Sequence, residues 1–126
     1  MNEKTILNVD DDSMNQLVIE KILEDTGVKI VSVKNGAAAV RKLMEGFKPD
    51  LILMDLQMPV MGGLEACQII RKWINVNVPI VINSGGIDDL DREKLNSYGI
   101  YDFLEKPYNR SDIFQKLQKN IAVVHE

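Results

Sequence analysis

The sequence predicts a doubly wound α/β domain, in which one parallel β-sheet lies between two layers of helices. Three observations lead to this prediction. Short apolar runs alternate with segments of helical periodicity, the runs are apolar almost throughout, and 45% of the 126 residues are hydrophobic. Strands that are apolar on both faces are typical of a parallel sheet that helices cover on both sides. The length suits one hydrophobic core, and we therefore expect a single domain over residues 1–126.

Five strand–helix units account for most of the chain. The predicted strands are short runs of β-branched or other apolar residues, in the order TILNV, KIVSV, LILM, PIVIN and YDFL. The helices that follow them are predicted over residues 14–26, 37–45, 64–73, 90–98 and 111–121. This order of elements favours a flavodoxin-like (βα)5 three-layer sandwich with the strand order 2-1-3-4-5.

The first and last predicted helices each carry an apolar stripe. In the last helix, apolar residues recur at Ile113, Leu117 and Ile121. Ser13 and Gln16 have the spacing of a capping box at the start of the first helix, and Asp12 is interpreted as a solvated cap of the same helix. The stripe of the first helix comprises Met14, Leu17, Val18 and Ile22.

Composition excludes several classes of function. The 15 Lys and Arg residues stand against 19 Asp and Glu residues, so the net charge of -4 lacks the basic excess expected of a protein that binds nucleic acid directly. Cys67 is the only cysteine, which excludes an internal disulfide, and it is most simply a small buried hydrophobe. No apolar stretch approaches the roughly 18 residues of a membrane span, and the amino terminus does not resemble a signal peptide. We expect a cytoplasmic domain without membrane contact.

Polar and charged residues follow four of the five predicted strands. Asp10 and Asp11 follow the first strand, Asp55 the third, Ser84 the fourth and Lys106 the fifth. Ligands of open parallel sheets bind at the carboxyl ends of the strands, near the point where the strand order reverses. Carboxylates packed together need a compensating cation, and short acidic side chains suit Mg2+. The sequence therefore predicts a Mg2+ site at this edge of the sheet.

The same group of residues is suited to accepting a phosphoryl group. A carboxylate beside Mg2+ and the ammonium of Lys106 lies in a field that neutralises the charge on the phosphoryl oxygens. Asp55 is the central carboxylate and hence the candidate nucleophile, which would form a labile acyl phosphate. Ser84 could donate a hydrogen bond to the phosphoryl group, and Gly85 and Gly86 behind it leave room for entry.

Four stretches carry a resemblance to a known family: VDDDSMNQ, MDLQMPVMGGLEA, VPIVINSGG and DFLEKP. In this order and near these separations, they resemble the receiver domain of two-component response regulators over the whole chain. The resemblance implies that Asp55 accepts phosphate from a phosphohistidine of a histidine kinase or a histidine phosphotransfer domain. It also implies that Asp10, Asp11, the Asp55 carboxylate and the Gln57 backbone carbonyl hold Mg2+. The segment LILMDLQMPVMGGLEA is somewhat more similar to receivers of hybrid sensor kinases.

The resemblance also implies a switch. Lys106 would pair with the phosphoryl oxygens, Ser84 would move towards them, and the rotamer of Phe103 would follow that hydroxyl. The peptide bond between Lys106 and Pro107 would be cis, hydrolysis of the acyl phosphate would reset the domain, and Gln57 and Gly86 would tune its lifetime.

Two surfaces are implied for partners. The fourth helix, fifth strand and fifth helix, about residues 88–119, would contact a downstream output domain or protein. The exposed side of the first helix, with Met14 and Val18 near Pro107, is a second candidate surface where a histidine phosphotransfer partner could dock, although Val18 is equally consistent with core packing.

Three other functions are less consistent with the residues. A phosphohydrolase of the haloacid dehalogenase type needs an acid two residues after its nucleophile, where this chain has Gln57. A flavodoxin-like cofactor binder needs a first loop that receives phosphate, and three aspartates there would repel it. A pseudo-receiver usually lacks a member of the acidic pair, the nucleophile or the lysine, and none is missing.

Two polar residues inside predicted strands, Asn8 and Asn83, need hydrogen-bond partners that the sequence does not identify.

Overall fold

The computed structural model describes residues 3–74 and 77–121. The strands are β1 (Thr5–Val9), β2 (Lys29–Val33), β3 (Leu51–Met54), β4 (Ile80–Ser84) and β5 (Asp102–Glu105). The helices are α1 (Ser13–Leu23), α2 (Gly36–Met44), α3 (Gly63–Ile69), α4 (Asp89–Ser97) and α5 (Arg110–Ile121). All strand pairs are parallel and the order is β2-β1-β3-β4-β5, which confirms the predicted topology.

Side chains alternate between the two faces of the sheet and build one core on each. On one face, Leu7, Ile52 and Ile82 belong to a cluster with buried residues of α2, α3 and α4. On the other face, Ile6, Leu53, Val81 and Leu104 pack with buried residues of α1 and α5. Cys67 is buried in the first cluster, as predicted. The sheet is therefore covered on both sides, and its carboxyl edge remains for the site.

The predicted apolar stripe of α1 is wrong, because a different face of the helix is buried. Met14, Leu17 and Val18 are exposed by 66%, 51% and 45%, whereas Ile19 and Leu23 are fully buried. Of the predicted stripe, only Ile22 packs against the core. The core contacts thus come from the second half of α1, and the first half leaves an apolar surface open.

The predicted capping box at Ser13 and Gln16 is also wrong. The Asp12 carboxylate caps α1 by accepting hydrogen bonds from the backbone amides of Met14 and Asn15, at 2.8 and 3.4 Å. The Gln16 side chain instead donates to the backbone carbonyl of Asp10 at 2.7 Å and to that of Val33 at 3.1 Å. It therefore ties α1 to the ends of β1 and β2.

Other boundaries differ by one or a few residues from the prediction. β4 and β5 each begin and end one residue later than PIVIN and YDFL. The predicted first helix ends in a 3-10 turn at Glu24–Thr26, and α3 continues as a π-helical turn at Ile70–Ile74. Within the described residues, no helix combines the length and hydrophobicity needed to cross a bilayer.

Candidate functional site

Three carboxylates meet at the carboxyl ends of β1 and β3. Asp10 and Asp55 follow these strands directly, and their amides extend the sheet by donating to the carbonyls of Val33 and Val9, at 3.1 and 3.0 Å. One carboxylate oxygen from each of Asp10, Asp11 and Asp55 lies within 4.8 Å of the other two. Asp10 and Asp55 are buried, and Asp11 is exposed. The backbone of the sheet thus fixes two of the three charges.

One ammonium faces this cluster. The Nζ atom of Lys106 lies 3.7 Å from Oδ2 of Asp10 and 3.6 Å from Oδ2 of Asp55. Burial raises the pKa of Asp55; the charge of Lys106 and the Gln57 amide oppose this shift, and the charges of Asp10 and Asp11 add to it. Burial therefore outweighs the attraction of Lys106 and makes the Asp55 carboxyl harder to ionise than an isolated one.

The donor set fits a hard divalent cation. Oδ2 of Asp10 is buried and accepts no hydrogen bond from the described residues, although it lies near Lys106. Mg2+ prefers carboxylate oxygens as ligands and usually keeps several bound waters. Asp11 is exposed, so the cluster is accessible from solvent. The three carboxylates therefore fit a bound Mg2+ better than they fit compensation by the Lys106 ammonium alone.

The loop after β3 is closely packed around Asp55. The backbone amide of Gln57 donates to Oδ1 of Asp55 at 3.3 Å, and the Gly63 amide donates to the Leu56 carbonyl at 3.0 Å. A Cβ atom at Gly63 would clash with the carbonyl oxygen of Asp55, so only glycine allows α3 to begin here. The loop contains Val60 at φ 69°, a conformation that β-branched residues rarely adopt.

The Ser84 hydroxyl is engaged within its own loop. It donates to the carbonyl of Gly86 at 3.0 Å and accepts from the Gly86 amide at 3.3 Å. Phe103 is partly buried, and the guanidinium of Arg92 lies 4.4 Å from its ring centroid. Gly86 is exposed, and a Cβ atom there would contact nothing within 4 Å. The Ser84 hydroxyl thus contacts Gly86, and the Phe103 ring contacts Arg92.

The loop that carries Lys106 is hydrogen-bonded to the end of β4 through its backbone. The Lys106–Pro107 peptide bond is cis. The Lys106 amide donates to the Ser84 carbonyl at 2.9 Å, which places the loop beside the end of β4. The carboxyl edge therefore brings together Asp10, Asp11, Asp55, Ser84 and Lys106 from four strand ends.

The structure also answers part of the question about the two buried asparagines. Nδ2 of Asn83 donates to the hydroxyl of Tyr108 at 3.2 Å. Tyr108 is a functional candidate that sequence reasoning missed, because the two residues lie 25 positions apart and nothing local links them. Neither polar side-chain atom of Asn8 has a hydrogen-bond partner among the described residues.

Two exposed surfaces adjoin the site. Val18 of α1, with Asn15, lines a groove of about 360 Å3 that also contacts Lys106, Pro107 and Tyr108. On the other side, Leu90 and Tyr101 are exposed by 71% and 67%. Between β5 and α5, Asp102 forms ion pairs with Lys116 at 3.5 Å and Lys119 at 2.7 Å.

Comparison with known proteins identifies the family. The family model described as the response regulator receiver domain matches residues 6–118. The chain is 34% identical over 115 residues to two-component response regulator 24 of Arabidopsis thaliana, covering 91% of this chain and 82% of that protein. It is 36% identical over 119 residues to the sensor protein GacS of Pseudomonas syringae pv. syringae, covering 90% of this chain but only 13% of that protein.

A solved structure agrees with this relationship. The receiver domain of the sensor histidine kinase PA1611 from Pseudomonas aeruginosa matches with a TM-score of 0.83 and 36% identity, covering 95% of this chain and 98% of that one. That structure is described as having a magnesium ion coordinated in the active-site cleft. Fold, motifs and relatives thus agree, and the chain belongs to the response-regulator receiver family, the signalling phosphoacceptor domains of two-component systems.

Proposed function

We propose that Asp55 is the phosphoacceptor and that the domain catalyses both its own phosphorylation and its own dephosphorylation. The observation that carries the proposal is that the buried Asp55 carboxylate lies close to two further carboxylates and to the Lys106 ammonium. Asp55 follows β3, the central strand of the sheet, and its 6% exposure leaves it more accessible than Asp10, which is 1% exposed. A phosphoryl group entering here meets the carboxylate at the end of a rigid strand.

The transfer itself requires little covalent chemistry from the protein. A carboxylate oxygen of Asp55 forms a bond with phosphorus while the bond between phosphorus and the donor imidazole nitrogen breaks, and the electron pair of that bond stays on the imidazole. Lys106, 3.6 Å from Asp55 in this state, would pair with an equatorial phosphoryl oxygen. The product is a mixed anhydride, which explains why it can be reset by water.

Asp10, Asp11, the Asp55 carboxylate and the Gln57 backbone carbonyl would hold Mg2+. When bound, Mg2+ neutralises negative charge on the phosphoryl oxygens. The buried Oδ2 of Asp10, which accepts no hydrogen bond from the described residues, and the close approach of the three carboxylates both support a cation site here. The magnesium reported for the PA1611 receiver supports the same assignment.

Ser84 and Phe103 are proposed as the switch. Ser84 would exchange its two contacts with Gly86 for a hydrogen bond to the phosphoryl group, so the competing interactions are similar in kind. Phe103 would then change rotamer, which requires its contact with Arg92 to loosen. The two states need differ by only a few kcal/mol for phosphate and Mg2+ to select one of them. The surface that reports the change is formed by α4, β5 and α5.

Gly86 and Gln57 are proposed to set the lifetime of phospho-Asp55. Gly86 lies two residues after Ser84, and its missing side chain leaves the approach of water open on that side. Gln57 is exposed two residues after Asp55 and could cover the opposite approach. A bare Gly86 favours fast hydrolysis.

A histidine kinase or a histidine phosphotransfer domain is the proposed donor. Met14 and Val18 are exposed apolar residues, and the groove beside Val18 reaches Lys106. A partner helix that covers them would bring its phosphohistidine close to Asp55. The resemblance to GacS supports a place within, or alongside, a larger sensor protein.

Intact mass after incubation with acetyl phosphate and Mg2+ tests the proposal. The expected result is a single phosphoryl adduct that requires Mg2+, is absent in Asp55→Asn and is removed by hydroxylamine. If acetyl phosphate yields no adduct, beryllofluoride binding provides a donor-independent test. Failure of the wild-type protein in both assays would overturn the proposal.

A further inference from the structure

A buried hydrogen bond lies beside the candidate site without belonging to its acidic cluster. Asn83 is 1% exposed, and its Nδ2 donates to the Tyr108 hydroxyl at 3.2 Å. The register pairs Met54 with Ile82, so Asn83 lies next to Asp55 across β3 and β4. The bond therefore connects the end of β4 with the loop that leads into α5.

This hydrogen bond and a backbone hydrogen bond attach the segment around Lys106 to β4. On one side, the Lys106 amide donates to the Ser84 carbonyl at 2.9 Å. Two residues later, the Tyr108 hydroxyl accepts a hydrogen bond from the side chain of Asn83 on β4. Pro107 between them has no N–H with which to add another attachment. The backbone of Lys106 is thus fastened to β4 both at its own amide and through the side chain of Tyr108.

The carboxylates alone do not fix the ammonium. Its separations of 3.7 Å from Asp10 and 3.6 Å from Asp55 exceed the roughly 2.7–2.9 Å of a charge-assisted hydrogen bond. A lysine side chain is also flexible, and this one is 27% exposed. The location of the ammonium therefore depends on where the loop holds the lysine backbone.

We propose that Tyr108 and Asn83 are positioning residues, whose hydrogen bond holds the Lys106 loop so that its ammonium lies between Asp10 and Asp55. This inference rests on the proposed function, in which Lys106 pairs with the phosphoryl group. Asn83 has a second polar atom, Oδ1, that is buried without a partner among the described residues. An apolar residue would avoid that cost, so the bond to Tyr108 is the gain that this amide provides.

The Tyr108 hydroxyl is protonated at neutral pH. Burial raises the pKa of the Tyr108 hydroxyl, the hydrogen bond with Asn83 opposes the rise, and the charges of Asp10 and Asp55 add to it. The hydroxyl therefore remains protonated, and it lies within the field of the same two carboxylates that Lys106 faces.

Pulse acetylation of the metal-free protein with N-hydroxysuccinimidyl acetate, followed by peptide mass mapping, tests the positioning directly. Tyr108→Phe and Asn83→Val should each raise the acetylation rate of Lys106 about fivefold, the factor that one hydrogen bond can represent. Lys116 is an internal control, since its side chain is also 27% exposed and is paired with Asp102. Its rate should not change. Tyr101→Phe, at an exposed tyrosine, should leave both rates at the wild-type value.

The same variants are then phosphorylated with acetyl phosphate and Mg2+. Tyr108→Phe should form the adduct roughly tenfold more slowly, since misplacing a group by about an ångström can cost up to about 100-fold in rate. The inference would be overturned, while the proposed function stands, by any of three results in these variants. These are an unchanged acetylation rate of Lys106, an equal rise in the rate of Lys116, and an unchanged rate of adduct formation. A wild type that forms no adduct and binds no beryllofluoride, with the acetylation contrast intact, would overturn the proposed function and leave the positioning role of the Asn83–Tyr108 hydrogen bond in place.

Discussion

Replacing Asn8 with valine should stabilise the domain. Asn8 lies on β1 at 1% exposure, between Ser32 of β2 and Leu53 of β3, and both polar atoms of its side chain lack a hydrogen-bond partner among the described residues. Burying an unpaired amide costs about 1–3 kcal/mol. Valine is apolar, suits a strand and faces the same core as Ile6, so the substitution should recover about that amount.

Urea denaturation of the metal-free protein, followed by circular dichroism, measures this gain. With a denaturant slope of about 1–3 kcal/mol per molar, the midpoint should rise by roughly 1 M while the slope stays constant. Asn83→Val is the matched control, because it is equally buried but loses the bond to Tyr108, and its gain should be smaller. If Asn8→Val is no more stable than the wild type, the reasoning is refuted, and the Asn8 amide must have a partner such as a buried water.

Three further outcomes are expected. Millimolar Mg2+ should raise the melting temperature, since it binds the folded form, and Asp11→Asn should reduce the rise; a wild type whose melting ignores Mg2+ would contradict the metal site. In Gly86→Glu, phospho-Asp55 should decay more slowly than in the wild type, as followed by intact mass, and equal lifetimes would refute a role for Gly86. Burial raises the pKa of Asp102, but the hydrogen bonds and charges of the two lysines of α5 outweigh it and lower the pKa below its ordinary value of 3.8. The ion pairs therefore increase the free energy of unfolding at pH values above 3.8. This contribution is lost as the pH falls through the lower pKa of Asp102 in the folded protein. Urea midpoints between neutral and acid pH should show this loss in the wild type but not in Asp102→Asn, and parallel curves would contradict it.

The topology was predictable because it depends on patterns that the sequence carries locally. Apolar runs mark β1, β3 and β4, the three inner strands, and their nearly continuous hydrophobicity indicates a sheet buried on both faces. Parallel connection then aligns all carboxyl ends at one edge. For this reason Asp10, Asp55 and Lys106 could be expected to meet although they are far apart in the chain.

The errors lie where tertiary packing decides between local alternatives. Two apolar stripes compete on α1, and only the contact with the sheet determines that Ile19 and Leu23 are the buried one. Asp12 and Ser13 could each cap this helix, and the geometry of the turn selects Asp12. The π-helical turn after α3 has no comparable sequence signal. The bond between Asn83 and Tyr108 requires the three-dimensional structure, because sequence can indicate that a buried amide needs a partner but not which residue supplies it.

Reduction of the phosphorylated protein with sodium borohydride tests the central claim most directly. Borohydride converts an aspartyl phosphate to homoserine, whereas an unmodified carboxylate is unaffected, so peptide sequencing by mass spectrometry identifies the phosphorylated residue. The account predicts homoserine at position 55 alone, dependent on both acetyl phosphate and Mg2+. Homoserine at position 10 or 11 instead, with Asp55 unmodified, would contradict the assignment of Asp55 as the phosphoacceptor.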